Sequence, residues 1–362
     1  MTNGSVLEMK QRLEIFCLTF EGLQYEQYKQ KEGVMQKLCM LVVLMCLFIG
    51  FSYTGTYGDV EEWEFSRVTR IKVKGISGDV IVRPADGRRG VVELREDVRP
   101  QRSFRPVVEQ DDESLYIREK WQGNNSRGRV EWTIYLPEQT EPPTIRIDNA
   151  SGNLDCSRIA ARIDFETASG DIVLSDVELG DGSDFNTASG DYIIEDMTVT
   201  EGVDFSTASG DFELENLIIE DGCRFSTASG DVKCRNCRCM DEVEMSSASG
   251  DVVVRDTELL GWSEFSSASR DVSLYFHKIP RDDVSASSAS GRVVLEVDDF
   301  GDDFTLILIK RRDKGRISCP FDYTYEETFE DYHVYERKIV ERGSGKPEIE
   351  LRTASGGVIV RD

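Results

Sequence analysis

Only two histidines, His277 and His333, occur in a chain of 362 residues. That leaves little material for imidazole catalysis or His-rich metal sites. An excess of positive charge is missing too: 43 Lys and Arg stand against 68 Asp and Glu, a formal charge of −25. Such a chain repels DNA and RNA unless a local basic stripe overrides the field, and the arginines between Arg83 and Arg105 are interleaved with Asp and Glu. Nucleic acid is therefore not an expected partner. No apolar run reaches the roughly 20 residues that a spanning helix requires. What is present is 39% apolar residues, enough for a real core, and 31% charged residues, which must largely face water.

The longest apolar run is Leu38 to Phe51, 14 residues, with Lys37 just before it and small or polar residues after it up to Gly58. These are the proportions of a secretory signal, with cleavage expected after Gly58. No cysteine follows at lipobox spacing, so no lipid anchor is expected. The polar residues before Met35 fit an export signal poorly, and Met35 is read as the true start. The competing reading is a cytoplasmic extension on an uncleaved anchor. Residues 1–58 carry five basic and five acidic side chains, so the whole negative excess belongs to residues 59–362.

Those residues are dominated by a repeat. Ala-Ser-Gly-Asp or a close variant recurs with its alanine at Ala150, Ala168, Ala188, Ala208, Ala228, Ala248, Ala268, Ala289 and Ala354. The steps are 18, five of 20, 21 and 65 residues. A related Ser77-Gly78-Asp79-Val80 lies upstream. Alignment on the alanine gives apolar columns at −3, as in Phe165, Phe185, Phe205 and Phe225, and at +4 and +6, as in Phe212 and Leu214. Further apolar columns fall at +9 and +11, as in Leu217 and Ile219, and the residues between columns are mostly polar. Each repeat thus holds three short period-2 segments, the pattern of half-buried strands.

The punctuation falls in columns as well. Gly170, Gly190, Gly210, Gly230 and Gly250 mark a first corner, each followed by Asp. Asp176, Asp196, Asn216, Asn236 and Asp256 mark a second, and Gly182, Gly202 and Gly222 a third. Glycine tolerates positive φ and Asx side chains bond nearby backbone, so both suit tight corners. Three strands and three corners in 20 residues predict one coil of an all-β β-solenoid, with coils stacked in parallel about 4.8 Å apart. The expected organisation is a signal-bearing segment at 1–58, an irregular β-rich cap at 59–143, regular coils at 144–300, and at 301–362 a β excursion followed by a coil that closes the far end.

This layout resembles a bacterial family of adhesin-like proteins of unknown function, with an exported N-terminus, an early Ile-Ser-Gly-Asp-Val strand and repeated Thr-Ala-Ser-Gly-Asp coils. The resemblance covers roughly residues 65–362. It implies a surface or envelope location and no established catalytic residues. Arg270 replaces the corner glycine, while Asn153, Arg292 and Gly357 replace the aspartate.

Three features invite sharper readings. Cys234, Cys237 and Cys239, with Cys223 upstream, resemble a zinc or disulfide cluster, yet Cys234, Cys237 and Cys239 occupy apolar columns, and buried cysteine behaves as a small hydrophobe. A bridge such as Cys223–Cys239 and a metal site are the alternatives. Asp171, Asp191, Asp211, Asp231, Asp251 and Asp271 form a column of carboxylates, readable as corner caps or as a cation ladder. Neighbours in that column repel by roughly 0.9 kcal/mol in water, which is bearable without a metal. Catalysis needs convergent groups, but His277 falls in an apolar column, His333 lacks a partner motif, and five coils have no insertion to build a pocket. The expectation is a non-enzymatic exported surface module without cofactor. Its ligand would be a protein or glycan, and it would meet the membrane only through the N-terminal segment if that stays uncleaved. An envelope sensor binding a peptide or lipid-associated partner and a carbohydrate-active β-helix are the alternatives.

Overall fold

The computed structural model describes residues 60–123, 127–139 and 141–362. The apolar run Leu38–Phe51 and the proposed cleavage after Gly58 lie outside them. Among the described residues the elements are 32 strands and a single 3-10 turn, and no helix is long and apolar enough to cross a membrane.

The coils are those expected from the repeat. One coil comprises Val203–Thr207, Phe212–Glu215 and Ile218–Ile219, and the next comprises Cys223–Thr227, Val232–Arg235 and Arg238–Cys239. Equivalent strands pair in parallel without slippage, so Phe205 lies against both Phe185 and Phe225, and Leu214 against Ile194 and Cys234. Parallel stacking in this register sets like beside like, and the interior becomes a column of rings. Phe185 and Phe205 stack at 4.8 Å, Phe205 and Phe225 at 5.0 Å, and all three are fully buried. Offset ring stacking adds about 0.5–1.5 kcal/mol per pair beyond area burial.

The two better-defined corners work by different physics. At the second, Asp176, Asp196, Asn216, Asn236 and Asp256 all take left-handed φ between 52° and 59°, as their residue type favours. Arg158 heads the same column at φ 56°, which no sequence rule marked. At the first corner, positive φ is not the reason for glycine. Gly190, Gly210, Gly230 and Gly250 are not left-handed. Instead, a Cβ on Gly190 would lie 1.9 Å from the carbonyl oxygen of Gly170, and one on Gly210 would lie 1.7 Å from that of Gly190. Glycine is favoured at these positions because successive backbones touch, although Arg270 shows that the column can admit a side chain.

The ends depart from the expected order. Parallel stacking already includes Arg70–Lys74 and Gly78–Pro84, which pair with Thr144–Asp148 and Leu154–Ser169 on one side. On their other side they pair with Ser114–Trp121 and Arg127–Leu136. The region read as an irregular cap therefore contains two further coils, and antiparallel strands Gly90–Arg99 and Phe104–Gln110 cover the outer one. At the far end the last coil in sequence, Glu348–Thr353 with Val358–Arg361, does not close the stack. It is inserted between the coil of Val284–Ser288 and Val293–Val297 and that of Phe304–Arg311 and Ile317–Ser318. The hairpin Tyr325–Asp331 and His333–Arg342 lies outermost in its sheet. At both ends the chain runs past its neighbour, builds antiparallel cover and returns. Antiparallel cover protects an edge better than another parallel coil, which would expose a fresh template for pairing.

Candidate functional site

The corner aspartates form a continuous hydrogen-bonded ladder. Oδ1 of Asp171 accepts the backbone N–H of Asp191 at 3.0 Å, and Asp191 that of Asp211 at 2.9 Å. Asp211 accepts from Asp231 at 2.8 Å, Asp231 from Asp251 at 2.9 Å, and Asp251 from Asp271 at 2.9 Å. The donor always belongs to the next coil. Sequence reading offered corner caps or a cation ladder and missed that this column ties coils together. It also stopped short of the ladder's length: Asp79 Oδ1 accepts from Asn153 N, and Asn153 Oδ1 from Asp171 N. At the other end Asp271 receives the backbone N–H of Arg292 and two bonds from its guanidinium. Burial opposes the charge on Asp271, but these bonds outweigh it and hold the carboxyl below its usual range.

From Thr207 to Ser288 the Thr or Ser three residues before the first-corner position runs a second ladder inside the first, whereas Thr167 bonds within its own corner and the Thr187 hydroxyl has no partner. Thr227 donates to Gly210 O at 2.9 Å and accepts from Gly230 N at 3.1 Å, and Ser247 does the same with Gly230 O and Gly250 N. These hydroxyls are buried, so each satisfies two backbone groups that water cannot reach. The repeat motif is thus a corner-bonding unit: hydroxyl for the inner backbone, glycine for contact, carboxylate for the next amide.

Among the described residues, no group of three or more His, Cys, Asp or Glu side chains is arranged to hold a metal ion. Cys234, Cys237 and Cys239 are buried as core residues, and all six described cysteines are free. His277 departs from its expected place. The preceding strand continues to Phe276, which fills the core where other coils turn, and His277 is pushed into solvent. There its ring nitrogens lie 3.2 Å from Asp256 and 2.8 Å from Asp298, and these carboxylates raise its pKa. His333 is exposed, immediately after the left-handed Tyr332 of the outer hairpin.

The lateral face carries the two polar columns that the alternation places outside. Asp164, Asp184, Asp204, Arg224, Glu244 and Glu264 stand in register, with Arg224 and Glu244 paired at 2.8 Å. Partial burial, and then the charges of Asp204 and Asp164, raise the pKa of Asp184. Beside them Ser206, Ser226, Ser246 and Ser266 form a column of hydroxyls, with Ser226, Ser246 and Ser266 bordering a shallow groove beside Ala228, Ala248 and Ala268. The face is long, repetitive and mostly acidic.

Three solved structures align with this chain over most of its length. They are an adhesin candidate of Bacteroides fragilis (11% identity, TM-score 0.35), an adhesin candidate of Parabacteroides distasonis (13%, 0.40) and a lipid-binding candidate of the same species (14%, 0.38). Each alignment covers 84% of this chain, and 97%, 98% and 97% of the respective structure. Similarity this distant carries no argument about what the present chain binds. No curated protein matches it. The family model described as Toastrack DUF4097 matches residues 68–307, more than half of the chain and the whole run of regular coils, so the protein belongs to the Toastrack DUF4097 family.

Proposed function

We propose that the protein is an exported, non-enzymatic solenoid that serves at the cell surface or envelope as a structural and binding module. The observation that supports this is the uninterrupted in-register stack from Ser183 to Ser288, which repeats the same outward columns at every level. A catalytic site needs a few different groups converging on one reacting atom in a water-poor cleft. A ladder supplies the opposite, many similar groups spread along an open face, which suits a protein or glycan contacted at several points. Fractionation of the producing cell with N-terminal sequencing tests the reading. The mature chain is expected outside the cytoplasm, beginning near Asp59. Intact protein starting at Met1 in the soluble cytoplasmic fraction would overturn it.

Within this reading the aspartate ladder is structural. Replacing Asp191, Asp211 and Asp231 together by Asn keeps an oxygen for each amide, as Asn153 already does for Asp171, and removes three repelling charges. The variant is expected to melt at the same temperature or higher, most clearly at low salt, and calcium should shift neither form. A calcium-dependent rise in the melting temperature of the wild type that vanishes in the variant would make the ladder a cation site instead.

A further inference from the structure

The coil at residues 223–239 concentrates four cysteines in one slice of the core, and two of them meet. Cys234 Sγ lies 2.9 Å from Cys237 Sγ. That is inside the van der Waals contact of two sulfur atoms, though well outside the roughly 2.05 Å of an S–S bond. The corner dictates the meeting. Cys234 and Cys237 flank Arg235 and the left-handed Asn236, so the chain reverses between them while both side chains point into the core. The neighbouring coils place Leu214 with Leu217 and Val254 with Thr257 at the same two positions. Only in this coil are both members thiols.

We propose that Cys234 and Cys237 form a redox-active pair that closes to a disulfide across the second corner. The co-reactant is a disulfide, either a small-molecule one such as oxidised glutathione or the disulfide of an oxidising protein. The Cys237 thiolate attacks one sulfur of the oxidant, giving a mixed disulfide and releasing the first thiol. The Cys234 thiolate, having lost its proton to solvent, then displaces the second. Two protein thiols are oxidised, the oxidant's disulfide is reduced to two thiols, and the protons leave with them. The order of attack follows the hydrogen bond: Cys234 donates to Cys237, which favours negative charge on Cys237, while the same bond and then burial push the Cys234 thiol up. Cys237 Sγ also lies 3.2 Å from the Arg235 carbonyl oxygen, so its own hydrogen has an acceptor in the reduced state. Both thiols are almost fully enclosed, which places closure during folding, or during an opening of the corner, rather than at an exposed surface. This pairing differs from Cys223–Cys239, the example of a bridge raised as an alternative from the sequence.

In the cell the oxidant would be met after export and so depends on the proposed location, but the test does not. The reduced full-length chain is refolded in a glutathione redox buffer, quenched in acid, alkylated under denaturing conditions and digested with trypsin. Cleavage after Lys233, Arg235 and Arg238 separates the two cysteines into a dipeptide and a tripeptide that stay joined only if bridged. That joined product is expected from most chains, and dithiothreitol should abolish it. It should persist in the double variant Cys223→Ala/Cys239→Ala, which leaves the pair intact. Recovery of both cysteines alkylated in oxidising buffer, or a bridge joining either of them to Cys223 or Cys239, would overturn the proposal. Failure of export would leave this result unchanged, so the two readings fall separately.

Discussion

Phe205→Asp is expected to destabilise the solenoid by about 5 kcal/mol or more, whereas Ser206→Asp, one residue further along the same strand, should cost less than about 1 kcal/mol. Phe205 is fully buried, stacked on both sides by Phe185 and Phe225 and met edge-on by Tyr192, so the substitution removes three ring contacts and leaves an unpaired carboxylate where no water reaches. Truncating a buried phenylalanine alone costs about 3–5 kcal/mol, and desolvating the charge adds to it. Ser206 is half-exposed on the outer column, and a carboxylate there keeps most of its hydration. Because coils hold one another only through nearest neighbours, loss of this level should also uncouple the halves on either side. Urea titration followed by circular dichroism checks both points. Equal loss in the two variants would mean that inward and outward are assigned the wrong way round.

Glu119→Ala should be the most damaging change in the N-terminal coils, costing about 3–5 kcal/mol. The Glu119 carboxylate is buried and gathers four donors: Trp132 Nε1 at 3.1 Å, Trp121 Nε1 at 3.0 Å, Ile76 N at 2.7 Å and Ser77 N at 3.3 Å. Two indoles and a backbone turn are thereby fixed around one side chain. Removing it strands the Trp132 donor in a site closed to water, although Ile76 and Ser77 can recover solvent. Glu119→Gln keeps one acceptor oxygen but presents an amide N–H to donors, so about half of the loss is expected. Tryptophan fluorescence during urea unfolding reads the outcome, with a shift to longer wavelength expected for the Ala variant. An Ala variant within about 1 kcal/mol of wild type would show that the carboxylate does not organise this end.

Glu119 also shows where sequence reasoning stops. Nothing local marks it: it sits in an unremarked Ile-Arg-Glu-Lys-Trp stretch, and its partners come from residues 76, 77, 121 and 132. The aspartate ladder is intermediate. Its column was visible, since identical residues recur at identical spacing, but the partner of each carboxylate is an amide 20 residues away in sequence. Spacing identifies the members of such a ladder, and only stacking says which atoms meet. The same holds for Cys234 and Cys237, whose columns were correctly apolar while their mutual contact depends on how the corner turns.

The solenoid class, the coil length, the inward columns from Phe165 to Phe265 and the Asx corners were determined by the sequence alone. Period-2 alternation and turn chemistry are local, and a repeat reports them many times over. The order of coils at both ends, the cover by antiparallel strands, the exposure of His277 and the reason for glycine at the first corner were decided by the tertiary structure. Each of these depends on which distant strand lies alongside. The repeat pattern is interrupted at both ends, and pairing there follows the need to cover an open edge, which leaves no periodic trace in the chain.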